Sequence, residues 1–258
     1  MELIKSATSR TRLGEFGHVA LNLLYAFMVL LALLVFEGPY LAYGLVILSK
    51  WRVFAVRPRF WLANIQTNLT DTVVGLGIVT LIWQASGNLA LQIATALFFA
   101  GWLVLLKPSS KRFWVVVQAG VAQFVGLTAL FSVAYNLPDI VVALIGGVIG
   151  YVVARHVIRV YHEELEDVVL SLSWGVVLAE LSWLTYFWTV AYTPLKITQI
   201  AIVASLLGYM AIVIYNHLYQ KEYSEQSPKR DLTLPVAFSL VGIFVLLIFF
   251  NYFDPTSL

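Results

Sequence analysis

FGHVALNLLYAFMVLLALLVF, Phe16 to Phe36, holds no charged residue in 21 positions. Wound as a helix at 1.5 Å per residue, it is about 32 Å long, enough to cross a hydrocarbon core of about 30 Å. The basic residues Lys5, Arg10 and Arg12 precede it, as they precede a secretory signal. No small-residue cleavage site follows, so the segment reads as a retained span.

The rest of the chain repeats this pattern. Of its 258 residues, 60% are hydrophobic and 12% charged, about half the charge of an ordinary soluble domain. Apolar runs of about 18 to 22 residues recur, and the ten-residue alternating segments of a membrane β-barrel do not. The expected fold is all-α: a polytopic transmembrane helix bundle, one integral membrane domain over 1–258. About nine spans are expected, near 16–36, 39–56, 69–86, 89–106, 113–134, 139–157, 168–190, 197–217 and 233–252. Turn residues separate several of them, among them Glu37-Gly38-Pro39, Ser86-Gly87-Asn88 and Asn136-Leu137-Pro138. No internal repeat stands out.

Charge fixes the expected direction. With nine crossings and the N-terminus inside, 15 of the 16 Lys and Arg residues fall on the cytoplasmic side and only Lys196 falls outside. The second span decides this count, because Lys50 and Arg52 intrude near its end. If it did not cross, everything after it would invert and the bias would vanish. The expectation is therefore N-inside, C-outside, in the cell (inner or cytoplasmic) membrane, with Lys50 and Arg52 snorkelling to the interface.

Small residues mark where helices approach closely. Gly146, Gly150 and Ala154 recur every four residues in the sixth span, and Ser171, Gly175 and Ala179 do so in the seventh. Such stripes suit intramembrane packing or a homo- or hetero-oligomeric contact.

Polar residues inside the spans are the functional candidates. Glu180 lies about 12 residues into the seventh span, about 18 Å along the helix. No Lys or Arg is expected at that depth, so its partners would be Gln123, Asn22 or the nearby Ser182 and Thr185. Such a carboxyl either donates one interhelical hydrogen bond or exchanges a proton or cation. His18, Asn22 and Tyr25 share a face of the first span. Gln84, Gln92, Gln118 and Gln199 are further span amides without a pattern.

A second candidate is the loop KWRVFAVRPRFWLANIQTNLTD, Lys50 to Asp71. Basic residues, Arg57 and Arg59 among them, alternate with aromatics, a composition that attracts anionic lipid headgroups at the bilayer surface. If a helix continues from Trp61, Asn64, Asn68 and Asp71 share one face and could hold a hydrated divalent ion against a phosphate. In the simpler reading, Asn68 to Asp71 caps a helix start. A third cluster, Arg155 to Asp167, pairs Arg159 with Glu163 and His162 with Glu166. It offers no metal set of clear spacing, and neither a metal nor a cofactor is expected. With no cysteine in the chain there is no disulfide or thiol chemistry. No nucleic-acid surface, phosphate-cradling loop or hydrolase triad is present.

Arg57-Pro58-Arg59-Phe60-Trp61, with the face of Asn64, Asn68 and Asp71, resembles a block in uncharacterised multi-span proteins of small-genome candidate-phylum bacteria. The layout also resembles that of membrane prenyltransferases of the UbiA superfamily, with nine helices and polar loops after helices two and six. That resemblance implies Mg²⁺-diphosphate chemistry on paired aspartates. Here one loop supplies only Asp71 with two Asn, and the other Glu163, Glu164, Glu166 and Asp167. Three functions follow: a small permease or channel working through Glu180, a lipid- or prenyl-phosphate-handling enzyme at the cytoplasmic face, or an assembly subunit of a membrane complex.

Overall fold

The computed structural model describes residues 2–55, 57–159, 166–188, 191–192, 197–223 and 232–249. These residues form nine α-helices: α1 Glu2–Val35, α2 Tyr40–Leu48, α3 Trp61–Gln84, α4 Leu89–Gly101, α5 Arg112–Ser132, α6 Asp139–Ile158, α7 Glu166–Tyr186, α8 Gln199–Tyr223 and α9 Thr233–Phe249. Seven contain apolar windows long enough to cross a membrane, and Thr233–Ile248 of α9 is a shorter apolar helix. The chain is helical and apolar in a way compatible with a multi-span membrane protein. Two short strands, β1 Ala191–Tyr192 and β2 Ile197–Thr198, pair antiparallel between α7 and α8.

Two elements depart from the sequence expectation. The second span is not one helix over 39–56. Helix α2 ends at Leu48 after nine residues, about 14 Å of helix, and 3-10 turns follow at Trp51–Val53 and Pro58–Phe60. The chain leaves the α conformation where its charges begin. Secondly, Asn68 to Asp71 is not a helix start. Helix α3 begins ten residues earlier, at Trp61, after the 3-10 turn that Pro58 opens.

The chain divides into two compact units, Met1–Gln118 and Ala119–Leu258. In the first, α2 runs antiparallel along α3. Tyr43 and Thr80 share a hydroxyl hydrogen bond of 2.8 Å. Val46 fills the notch over Gly75, where an added Cβ would lie 2.8 Å from Val46 Cγ1. Lys50 meets Asp71 at the end of the pairing. Helix α4 returns antiparallel to α3 through a turn in which Gly87 takes a left-handed φ of 93°. Asn88 then caps α4, its side chain accepting from the Leu91 N–H at 3.1 Å. Gln92 donates across to the Ile82 carbonyl. Along the other side of α4, the ring of Tyr25 of α1 packs tilted against Phe99 and Asn22 donates to the Leu103 carbonyl. Val74, Ile78, Val79, Ile82, Phe99 and Trp102 form the buried centre of this unit.

In the second unit, α6 and α7 pack backbone to backbone. Their small-residue stripes face one another: Gly146 lies against Ser182 and Leu178, Gly147 against Ala179, and Gly175 against the Gly147 carbonyl and Tyr151. Trp183 donates to Asp139 and Tyr186 to the Leu137 carbonyl, tying the far end of α7 to the start of α6. Gln123 of α5 takes a hydrogen bond from Trp174 of α7 and donates to the Ala204 carbonyl of α8. Gln199 of α8 donates to the Leu246 carbonyl of α9.

Candidate functional site

The first unit gathers its charge at one carboxylate. Asp71 is 9% exposed, accepts two hydrogen bonds and stands in an ion pair with a second lysine. Its Oδ1 accepts from Trp102 Nε1 at 2.9 Å. Its Oδ2 accepts from Lys50 Nζ and forms an ion pair with Lys107 Nζ at 2.8 Å. A buried acid with both oxygens engaged meets the requirement that buried charge be paired and hydrogen-bonded.

Each group arrives by a separate local device. Lys50 follows the end of α2 and is carried to Asp71 by the Val46–Gly75 contact. Asp71 stands on α3 ten residues after Trp61. Trp102 and Lys107 come from a π turn, Trp102–Leu106, that extends α4. There the Lys107 N–H reaches back five residues to the Trp102 carbonyl at 2.9 Å. The wider turn brings the two residues over one another, so both reach one carboxylate, and such turns concentrate at functional sites. Gln118 Nε2 donates to the Leu106 and Ser109 carbonyls at 2.6 and 2.8 Å and holds the chain end that follows.

Two ammonium groups against one carboxylate leave one positive charge over when both are protonated. Lys50 lies outside the membrane-crossing helices. Burial, and then the charge of Lys107, lowers its pKa from the ordinary 10.5 to about 7. Burial also lowers Lys107, against a raising interaction with Lys50. An anion arriving here would restore the charge balance and favour the protonated form of Lys50.

The other sequence candidates fall as follows. Arg57 and Arg59 are exposed, and Arg59 lies over the Phe60 ring at 4.6 Å. Asn64, Asn68 and Asp71 do share a helix, as expected from Trp61 onward. Their polar groups do not converge, because Asn68 Nδ2 donates at 2.8 Å to the backbone carbonyl of Asn64. The cation reading of Asp71 gives way to two lysines on its oxygens, and no group of metal-ligating side chains occurs among the described residues. Glu163 lies outside the described residues, and Glu166 opens α7 with its side chain undescribed. Glu180 is exposed, Gln123 is bonded to Trp174 and Ala204, and Asn22 donates to Leu103 at 3.4 Å. Within the second unit, Glu180 makes no hydrogen bond to Gln123, whose amide is engaged by Trp174 and Ala204.

Sequence reading missed Lys50, Lys107 and Trp102 as site residues. The usable signal was Lys50 itself, a cation inside an apolar stretch that needs a counter-ion, opposite Asp71, the one acid between Trp61 and Gln84. No family model matches the chain, and neither a curated protein nor a solved structure matches it.

Proposed function

We propose that the chain is a multi-pass protein of the cytoplasmic membrane that binds a phosphate-headed anion on the Lys50–Lys107 pair, at the cytoplasmic end of its spans. The observation that carries this reading is the surplus cation: two lysines converge on Asp71, and Trp102 locks the carboxylate between them. Asp71 acts as a counter-ion that holds the lysines close, rather than as a metal ligand. Exposed Arg57 and Arg59, with Trp51 and Phe54 beside them in the chain, add the basic and aromatic character that draws anionic headgroups. A permease working through Glu180 has less support, since Glu180 faces outward and the amides of Gln123 and Asn22 are engaged elsewhere.

The test reconstitutes the protein in phosphatidylcholine nanodiscs and titrates two probes, phosphatidylglycerol and inorganic phosphate. Binding by phosphatidylglycerol alone assigns a lipid ligand, and binding by phosphate alone assigns a soluble one. Lys50→Met with Lys107→Met should weaken binding at least tenfold, and chelation of Mg²⁺ should leave it unchanged. Unaltered binding in the double variant would overturn the proposal.

pH gives a second readout. The phosphodiester of phosphatidylglycerol keeps its charge across the neutral range. Lys50 binds an anion as the ammonium and loses its proton as pH rises through about 7. Affinity should therefore fall between pH 6 and pH 9, and that slope should disappear in Lys50→Met. An affinity that is flat with pH in the unaltered protein would remove Lys50 from the site.

A further inference from the structure

The side of α7 turned away from α6 carries one acid in an apolar surface. Leu178 and Ser182, four residues apart, are fully buried against the glycines of α6. Glu180 stands midway between them in sequence, so helical geometry sends it to the opposite side. It is exposed there, as are Leu172, Ser173, Val176, Val177 and Leu184. Ser173 is seven residues back on the same face, but its hydroxyl donates to the Val169 carbonyl at 2.9 Å. Among the described residues Glu180 has no hydrogen bond or ion pair.

Depth makes this exposure costly. The apolar span runs Asp167–Tyr186, which places Glu180 about 9 Å from one end and about 20 Å from the other. A carboxyl on an outward face at that depth meets hydrocarbon or another helix. Acids in spans are retained where they pair, most directly with a base. This chain has no such base to offer: within the seven apolar spans, Arg112, Arg155, His18, His156 and His217 all lie within four residues of a span end. A second copy would therefore bring no mid-span cation to Glu180.

We propose that the outward face of α7 docks a transmembrane helix of a different protein, with Glu180 paired to a Lys or Arg at matching depth. Charge complementarity selects that occupant over a second copy of this chain. The glycine stripes of α6 and α7 are already spent on each other, so the docking face is the one opposite them.

The experiment places the purified chain, carrying an acceptor dye, in phosphatidylcholine vesicles. The probe is a donor-labelled synthetic polyleucine helix of about 20 residues with one Arg about six residues from one end, the depth of Glu180 in its span. Its control has Leu at that position. Energy transfer should report association at least tenfold tighter for the Arg helix. The preference should vanish in both Glu180→Gln and Glu180→Leu, two outward-facing changes that leave the α6–α7 contact untouched. Equal association of the two helices, or a preference that persists in Glu180→Leu, would overturn the proposal. So would Glu180-dependent self-association that the Arg helix cannot displace, because the occupant would then be a second copy.

Discussion

Asp71→Asn should destabilise the protein by about 3–5 kcal/mol, the cost of removing one partner from a buried ion pair. The variant keeps the shape of the side chain and an acceptor for Trp102. It removes the only charge among the described residues that pairs with the two ammonium groups, one of which, Lys50, has a side chain only 14% exposed. Thermal unfolding in detergent micelles should show a lower midpoint. Lys50→Met alone should cost less, because Asp71 keeps Lys107 and Trp102. The double variant Asp71→Asn with Lys50→Met should recover part of the loss, since it removes a buried charge along with its partner. A double variant as unstable as the sum of the two singles would mean that Lys50 and Asp71 do not interact.

Gly146→Ala should be the most damaging small change in the second unit. Its added Cβ would lie 2.1 Å from Ser182 Oγ and 2.7 Å from Ser182 Cβ. The hydroxyl can rotate away, but the Cβ is fixed to the backbone of α7, so the helices must separate. Overpacking of this kind costs about 1–3 kcal/mol, and Leu at the same site should cost more. Ser182→Ala should not rescue Gly146→Ala, because the Cβ remains, whereas Ser182→Gly should rescue it in part. The readout is hydrogen exchange of the α6 and α7 amides together with the unfolding midpoint. Rescue by Ser182→Ala would show that the hydroxyl alone sets the contact.

Most of the helices were legible because hydrocarbon imposes length and apolarity on the chain itself. The spans near 89–106, 113–134 and 139–157 coincide with α4 and its π turn, α5 and α6 to within about two residues. The small-residue stripes were legible as close contacts, though not as contacts with each other. What stayed hidden depends on three dimensions. Lys50 and Lys107 look like topogenic charges, since each sits at the end of an apolar run and nothing local shows that both bend back to one acid. Asn68 to Asp71 looks like a helix start because Asn68 can cap and Asp71 would fall in the first turn, yet the helix had already begun at Trp61. Glu180 was legible as an outlier, but its direction was not, because either side of α7 could have faced α6. Only the packing of Leu178 and Ser182 against the glycines decides it.

The π turn at Trp102–Leu106 means that this charge cluster is set by residue count as well as by residue type. The turn holds one residue more than a regular helix needs there. Removing any one residue between Leu103 and Leu106 would let the hydrogen-bond ladder close in its ordinary four-residue step, and the span would stay just as apolar. Lys107 would then stand four residues after Trp102, still on the side of the carboxylate, whereas one residue added there would swing it about 100° around the helix axis, away from Asp71. An insertion silent to hydropathy would thus dismantle the cluster, while a deletion would spare it.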